Sequence, residues 1–595
     1  MANQATQPGI TGPTWRGPDE AVLVVGAGPT GLMMAAELAR HGVRARLIDA
    51  APEASTHSRA IAVQARTLEI FEHLGIAGEA LASGRPIHGV NLYAVASEPG
   101  ASGKRVVHVD FDDLDSPYPF ILSLPQSETE RILTHHAARL GVTVERSVHL
   151  RELAQDDEQV VATLEHADGR VETCKARWLL GCDGAHSVVR KATGLPFDGV
   201  RNDEEFVLAA LVLEWHGPDD EAHSYRAGDG AMVMLPLPGP PGSWRLIADM
   251  TTTSAGSPGA QPSLAWLQTL VEKRGARDAV LREATWTSTF RVHRRIVPRY
   301  RHRRVLLAGD AAHIHSPVGG QGMNTGLQDA HNLAWKLALI EQGAAAPGLV
   351  DTYHVERHPV AAGTLQGTDL ATRMVTLRNP VGREIRDRMS AFLTSLEVVQ
   401  RRLTRATAEL DLSYARSPIV AEERASLLGT HLVHDPDVET PSLASWMDFG
   451  AGPRAGERAP DVELGPPAAR QRLFSILHGA WPAPGGAAGV GHDLLAFDGA
   501  AHTPEGYARF QAIVDAVTAR WPARVAVHLV VQGAAPPERL EQSGAVLLDP
   551  DGALHRRYGA GAECVYVVRP DGYIGYRAQP LDIDKLLRWL ARTLA

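Results

Sequence analysis

The sequence predicts an α/β protein of several units, the first of which is a parallel strand–helix–strand unit. The chain has 595 residues, which is more than one hydrophobic core accommodates. Near its start, the apolar run AVLVV at 21–25 precedes a stretch of helical period, as is typical of a parallel sheet covered by helices. Strand-like runs broken by Gly and Pro fill residues 196–295, and strands alternate with helices after residue 456, which predicts two further units.

The composition favours a globular protein and argues against nucleic acid and membrane as partners. A net charge of −10 with 44% hydrophobic residues is ordinary for a globular protein and offers no basic surface for nucleic acid. Cys174, Cys182 and Cys564 form no CxxC pair, which favours a cytoplasmic protein. Because no run reaches the roughly 20 apolar residues of a membrane helix, we expect no membrane partner. Residues 1–20 lack the apolar core of a signal peptide and are predicted to be a flexible leader.

The first unit carries a glycine pattern with a physical meaning. Gly26, Gly28 and Gly31 follow the first predicted strand in G-x-G-x-x-G spacing, and Pro29 opens a helix. Such glycines allow a tight turn, backbone approach to a pyrophosphate, and close packing of helix on strand. Asp49 ends the next strand, where an acid can bind a ribose hydroxyl. The pattern predicts a Rossmann-type dinucleotide site without choosing between FAD and a nicotinamide dinucleotide.

Other segments could face the same ligand. Arg59 and Arg66 lie near a loop from which a guanidinium can pair with a pyrophosphate. Gln126 directly precedes a predicted helix, and Asp183 follows the buried strand 178–180. Taken alone, the two arginines are equally compatible with a role as solvated cations at a helix start.

Residues 309–330, GDAAHIHSPVGGQGMNTGLQDA, are compatible with a metal site or with a phosphate- or ribose-binding crevice. His313 and His315 flank a single residue, and Asp310 ends a predicted strand. A metal needs three or four converging ligands, and no further cluster has suitable spacing. A glycine loop before a helix that starts near Met323 fits an anion-binding crevice.

Five motifs occur in one order over about residues 21–370: VVGAGPTGL, RAIAVQARTLEIF, CDGAHSVVR, GDAAHIHSPVGGQGMNTGLQDAHNLAWKL and DTYHVERHPVA. In these motifs the chain resembles the single-component FAD-dependent aromatic hydroxylases (class A flavoprotein monooxygenases), and most closely the hydroxyphenylpropionate, polyketide and rifampicin monooxygenases. The resemblance implies FAD as cofactor, NADPH or NADH as transient reductant, and O₂. It implies hydroxylation of a small phenolic or polycyclic aromatic substrate, including polyketides, through a flavin hydroperoxide.

The resemblance also assigns residues. It gives the histidines of the 309–330 segment no metal role, so we predict no metal. The glycine loop is expected at the FAD pyrophosphate, the acids at the ribose and ribityl groups, and the 317–324 segment near the flavin ring. The predicted FAD-binding residues are Gly26, Gly28, Pro29, Thr30, Gly31, Asp49, Ala50, Arg59, Gln126, Asp183, Asp310, Pro317, Gly322, Met323 and Asn324.

Substrate and catalytic residues are less well defined by the sequence. The sheet at 196–295 is expected over the flavin, with Met232, Met234 and Pro317 as candidate substrate contacts. Phenol hydroxylases carry an acid in the segment where this chain has Ile61 and Ala62, so no general base follows from the resemblance. The catalytic residue stays unknown, with Tyr225, His293 and His315 as candidates.

The predicted organisation is a discontinuous FAD-binding unit at 21–195 and 296–400, a substrate-binding β-sheet unit at 196–295, a helical connector at 401–455 and a thioredoxin-like unit at 456–595. Cys564 stands alone on a predicted strand, so a structural or dimer-forming role is expected for the last unit rather than redox catalysis. A homodimer follows from the resemblance. Epoxidation, Baeyer–Villiger oxygen insertion, a flavin reductase or oxidase without oxygen insertion, and a non-catalytic flavoprotein remain as alternatives.

Overall fold

The computed structural model describes residues 20–55, 60–96, 101–228, 230–250, 262–315, 320–376, 397–424, 442–465, 470–477, 490–499, 504–533, 535 and 545–595. Within these residues the chain forms three large sheets, each with helices packed against it. No helix among them is both long enough and apolar enough to cross a bilayer.

The first sheet is built on parallel strands. Its main path runs in the spatial order Arg301–His302, Val305–Leu307, Val171–Gly181, Glu20–Val25, Ala45–Asp49 and Val144–Arg146. Every pair on this path is parallel except that of the first two strands. Val148–Gln155 and Val160–His166 extend it in antiparallel fashion. Val22, Leu23 and Val24 are fully buried, as a strand covered on both faces requires.

Helices cover this sheet and approach each other closely at one point. They span Pro29–Arg40, Ala65–His73, Ala77–Ser83, Gln126–Arg139, Val188–Thr193, Gly322–Glu341 and Asp351–Thr376, with 3₁₀ turns at Gly309–Ala311 and Pro347–Val350. A Cβ at Gly309 or Gly326 would lie 2.6 or 2.4 Å from Thr30 Oγ1. Thr30 therefore fits between the two glycines and sets how closely the first helix packs on Gly322–Glu341. A small sheet of Ala62–Val63, Ile121–Ser123 and Arg85–Ile87 completes this unit.

The second sheet is largely antiparallel. Its order is His313–Ile314, Val280–Ile296, Asp198–Glu214, Ser243–Asp249, Gly230–Pro236, Glu221–Ala227, Gly89–Val95 and Gly103–Asp110. Leu264–Lys273 is a helix that packs on one face. Three of these strands lie outside the predicted 196–295 unit, because strands at 89–110 and 313–314 join the sheet through pairings distant in sequence.

The third sheet lies toward the end of the chain. Its order is Ala421–Arg424, Ile574–Gln579, Cys564–Val568, His492–Phe497, Val525–Val531 and Ala545–Leu548. The surrounding helices are Glu397–Thr407, Leu443–Ala451, Leu473–Leu477, Pro504–Arg520, Ala553–Tyr558 and Ile583–Thr593, and Glu463–Leu464 pairs with Gln471–Arg472. Ala421–Arg424 is a strand parallel to Ile574–Gln579, although the sequence predicted a helical connector there. The thioredoxin-like nature of this unit stays a prediction.

The first and third sheets share one hydrophobic core, whose buried residues extend from Val22 to Leu594. A cluster of fully buried charges lies where the third sheet meets the long helices. Arg569 donates two hydrogen bonds of 2.8 Å to the Glu356 carboxylate and one of 3.0 Å to Asp571, and Lys336 Nζ lies 2.7 Å from Glu356. Two cations and two anions thus compensate each other where water is excluded.

Candidate active site

The predicted ligand-binding segments meet at one edge of the first sheet. Three backbone hydrogen bonds join them: Gly26 N to Ile48 O at 2.8 Å, Cys182 N to Val25 O at 2.8 Å, and Ala308 N to Gly181 O at 3.0 Å. The glycine loop, the Asp183 turn and the Gly309–Ala311 turn therefore start side by side at the carboxyl ends of parallel strands. Ligands of open α/β sheets bind at this edge.

Two glycines of the loop are required by the protein's own packing. Gly26 has a φ of +102°, and a Cβ there would lie 2.5 Å from Cys182 O. A Cβ on Gly31 would lie 1.8 Å from Gly26 O. These contacts match the tight turn and the close helix–strand packing expected of the first and third glycines.

At positions 28 and 322 the packing of the described residues does not require a glycine. Among the described residues, no atom outside the adjoining residues and the helix's own backbone lies within 4 Å of a Cβ built on either glycine. The φ of Gly28 is an ordinary −76°. Gly28 caps the helix Pro29–Arg40 and Gly322 begins the helix Gly322–Glu341, where backbone N–H groups lack partners within the helix. Open space at two helix N-termini suits a phosphate-bearing ligand, so these positions fit FAD.

Asp49 lies where the second strand ends, as predicted. Its Oδ2 accepts a hydrogen bond from Ala27 N at 2.5 Å and its Oδ1 accepts one from Ala51 N at 2.7 Å. The carboxylate thereby fixes the glycine loop relative to the second strand. Ala50 is exposed beside it, on the rim of the crevice.

Asp183 and Asp310 lie on the neighbouring turns. The Asp183 carboxylate accepts hydrogen bonds from Ser187 Oγ at 2.5 Å and from Val188 N at 2.7 Å, so it caps the short helix that follows. Burial raises the pKa of Asp183. Asp310 is exposed at the turn after its strand, as a residue that contacts a ligand would be.

Asn324 joins two parts of the crevice. Its Oδ1 accepts from Gln64 N at 3.0 Å, and its Nδ2 donates to Ala62 O at 2.9 Å and to Gly320 O at 2.8 Å. Met323, the preceding residue, packs partly buried against the main core. The helix start is therefore held against the 62–64 segment by Asn324.

Gln126 is the first residue of the helix that it was predicted to precede, and its Nε2 donates to Glu130 Oε1 at 2.9 Å. Arg59 and Pro317 lie outside the described residues, as does the side chain of His293. The pyrophosphate role considered for Arg66 is not supported. Its buried guanidinium donates to Glu69 at 2.9 Å and to Asp571 O at 2.7 Å, so it links the first unit to the third.

The candidate substrate and base residues of the second sheet lie in its core. Met232, Met234 and Tyr225 are at most 3% exposed and belong to the cluster that packs against Leu264–Lys273. The Tyr225 ring stacks on Tyr93 at 4.5 Å, and burial raises its pKa. Because strand side chains alternate between faces, residues 231, 233 and 235 point the other way. Direct substrate contact by the two methionines or by Tyr225 is therefore not expected.

His313 and His315 belong to a buried polar network that the sequence did not reveal. His313 Nε2 lies 2.7 Å from Asp329 Oδ2, and His313 Nδ1 lies 2.8 Å from His315 Nε2. Arg357 Nε donates to Asp329 Oδ1 at 2.8 Å. Burial raises the pKa of Asp329, but His313 and Arg357 outweigh it and the pKa is lowered overall. The described residues contain no group of three or more side chains that could hold a metal ion.

A glycine-loop crevice at the edge of a parallel sheet, with a second sheet joined to it, defines a dinucleotide-binding protein of the flavoenzyme type. Residues 19–368 match the family model described as FAD binding domain. The chain belongs to this family and is an FAD-dependent monooxygenase of the aromatic hydroxylase class. The resemblance in the sequence motifs is thereby confirmed.

Two curated relatives match nearly the whole chain. The 6-methylpretetramide 4-monooxygenase of Streptomyces rimosus is 34% identical over 94% of this chain and 90% of its own length. The pentachlorophenol 4-monooxygenase of Sphingobium chlorophenolicum is 34% identical over 96% of this chain and 95% of its own. The crystallised anhydrotetracycline hydroxylase from Streptomyces rimosus has a TM-score of 0.68 at 28% identity, covering 96% of this chain and 98% of that one.

Proposed function

We propose that this monooxygenase hydroxylates a phenolic or polycyclic aromatic ring, with NADPH or NADH as reductant and O₂ as the source of oxygen. The proposal is carried by two relatives matched over nearly their whole length, whose names give 6-methylpretetramide and pentachlorophenol as the compounds they oxygenate. Pentachlorophenol is by its name a phenol.

Different residues of the crevice would bind different parts of FAD. The helix starts at Gly28 and Gly322 would accept its phosphates and flavin, and Asp49 and Asp310 its hydroxyl groups. Bound FAD supplies two-electron transfer from the nicotinamide and activation of O₂. The protein would orient the aromatic ring and exclude water, since water diverts such chemistry to hydrogen peroxide.

The face of the second sheet opposite Leu264–Lys273 is our candidate for the substrate side. Leu208 and Val233 lie on it by strand alternation. The same face carries the buried Arg245, whose guanidinium lies 4.8 Å from the centre of the Trp286 ring. Apolar side chains with a few placed polar groups suit an aromatic ligand.

The test is NAD(P)H oxidation by the FAD-loaded protein with and without a panel of phenols, naphthoquinones and polyketide aromatics. A true substrate should stimulate oxidation and gain about 16 mass units, the weight of one oxygen atom, and labelled O₂ should label the product. Stimulated oxidation that yields only peroxide would identify an effector and not a substrate. Reduction of a ligand without oxygen gain would refute the proposal and favour a reductase.

We further propose a cytoplasmic homodimer. Its support is the set of three buried free thiols, which suits a reducing compartment, and the exposed apolar pair Leu443 and Met447, which lie four residues apart on one helix. Light scattering of the purified protein tests the dimer. A monomer at micromolar concentration would refute it.

A further inference from the structure

Asp329, His313 and His315 form a continuous chain of hydrogen bonds, which we call the relay. The Asp329–His313 and His313–His315 contacts measure 2.7 and 2.8 Å. One nitrogen of the relay is left over: His315 Nδ1 is buried and has no hydrogen-bond partner among the described residues. A buried polar atom without a partner costs about 1–3 kcal/mol, so a ligand hydroxyl that reaches this nitrogen would gain a hydrogen bond.

When His313 is uncharged, the Asp329 carboxylate determines which nitrogens of the relay carry protons. Asp329 accepts hydrogen bonds from Arg357 Nε at 2.8 Å and from Gly309 N at 3.1 Å, as an ionised carboxylate does. It can only accept from His313 Nε2, so the Nδ1 of a neutral His313 is itself an acceptor. His315 must then donate through Nε2, and its Nδ1 presents a lone pair.

Burial keeps His315 neutral before a ligand binds, because it holds the pKa of His315 well below its usual value. Arg357 acts in the same direction and Asp329 in the opposite one. Asp329 lies on the helix Gly322–Glu341 and Arg357 on the helix Asp351–Thr376.

The relay lies at the junction of the two sheets that would enclose a substrate. His313 and Ile314 pair with Ile296 and Arg295 at the edge of the second sheet. They follow directly on the Gly309–Ala311 turn at the edge of the first sheet. Seven residues along the chain separate His315 from Gly322, where the helix of the proposed flavin site begins.

We propose that His315 is a catalytic residue whose Nδ1 accepts the proton of the substrate's phenolic hydroxyl, with His313 and Asp329 as positioning residues. The inference rests on the proposed function. As the ring carbon gives an electron pair to the incoming oxygen, the O–O bond of the activated oxygen breaks and the departing oxygen keeps the electron pair of that bond. The ring becomes positively charged, and its O–H group becomes strongly acidic. The O–H bond breaks, the N–H bond forms on Nδ1, and the ring is left as a neutral dienone.

A weak base suffices at this stage, because the proton donor is a protonated carbonyl and not a free phenol. The imidazolium formed on His315 is stabilised through His313 by the Asp329 carboxylate. The proton returns to the same oxygen when the ring recovers its aromaticity. The displaced ring C–H proton leaves to solvent, and the departing oxygen takes up one proton in exchange. Protons and electrons therefore balance around this group.

The first test compares substrates of different acidity. The wild type and His315→Gln are both assayed with a phenol from the panel that the wild type hydroxylates. They are also assayed with ring-fluorinated analogues of that phenol, and only the analogues are ionised at the assay pH. The variant should lose about 100-fold in kcat/KM on the weakly acidic substrate, in the range of general-base contributions, and less than about threefold on the pre-ionised analogues. The matched control is His135→Gln, an exposed histidine on the helix Gln126–Arg139, which should behave as the wild type.

The second test measures binding without turnover. The affinities of the FAD-loaded protein for 2-naphthol and for its methyl ether are read from the change in FAD absorbance. The wild type should prefer the naphthol about tenfold, as one hydrogen bond of about 1.4 kcal/mol gives, and both His315→Gln and Asp329→Asn should lose that preference.

Equal losses on all substrates, or an unchanged naphthol preference in His315→Gln, would overturn the role of His315. A wild type that does not prefer the naphthol would do the same. A wild type that inserts no oxygen into any panel compound would refute the proposed function instead, and the binding test would still decide whether His315 recognises a hydroxyl group.

Discussion

Glu409 offers a sharp test of how the buried polar groups near the relay control stability. This carboxyl is buried beside the long helix, where Gln328 Nε2 donates to its Oε2. Burial raises its pKa from 4.5 to about 8, although Arg357 acts in the opposite direction. The folded protein therefore holds Glu409 as a neutral acid over a range in which the unfolded chain ionises it.

The sign of the effect follows from proton linkage. Above pH 4.5 the unfolded chain releases the Glu409 proton, while the folded protein keeps it until about pH 8. The folded state then binds more protons, so stability falls as pH rises through this window. At about 1.4 kcal/mol per pH unit, the loss between pH 5 and pH 7 is about 3 kcal/mol.

Glu409→Gln removes the titration and keeps the shape of the side chain. The difference in melting temperature, variant minus wild type, should become more positive as the pH rises from 5 to 7. With an unfolding entropy of about 2 cal/mol/K per residue, about 3 kcal/mol in a chain of this size corresponds to about 2 °C. Calorimetry at several pH values measures this difference, with the exposed Glu152→Gln as control. A difference between variant and wild type that does not change with pH would refute the reasoning.

Two further tests use the glycine loop and the buried ionic cluster. Gly31→Ala should prevent folding or lower the melting temperature strongly, because the added Cβ has no room. Gly28→Ala should leave the FAD-free protein as stable as the wild type and should weaken FAD binding about tenfold or more. The affinity is measured from the rise in FAD fluorescence when FAD is released. An FAD affinity of Gly28→Ala equal to that of the wild type would contradict this assignment. Glu356→Gln should lower the free energy of unfolding, measured in urea, by about 3–5 kcal/mol, because Lys336 and Arg569 keep their charges and lose a shared carboxylate. A decrease below about 1 kcal/mol would mean that the cluster is hydrated.

The sequence predicts the glycine loop well because its geometry is local. Gly26, Gly28 and Gly31 lie within six residues, and the turn, the helix start and the strand end all follow from neighbours in the chain. The same holds for Asp49 at the end of its strand. Where the contacts that determine a structure are between neighbours in the sequence, the motif is enough to predict that structure.

Non-local contacts could not be predicted in this way. Asp329 lies 16 residues after His313, inside a helix whose residues are almost all buried, and nothing in its spacing points to a histidine partner. The strands Gly89–Val95 and Gly103–Asp110 lack a sequence signal that tells which sheet they join. Met232 and Met234 have the expected strand alternation, but alternation alone does not say which face meets the substrate.

The buried ionic cluster joins the third unit to the helices beside the proposed flavin site. Arg569 and Asp571 lie on the turn between the strands Cys564–Val568 and Ile574–Gln579, and both contact the helices that carry Lys336 and Glu356. Glu356 and Arg357 are neighbours on one helix: the first binds the third unit, and the second binds Asp329 of the relay. Because a buried charge without its partner is strongly destabilising, the third unit fixes the position of this helix, and through Arg357 it holds the carboxylate on which the relay depends.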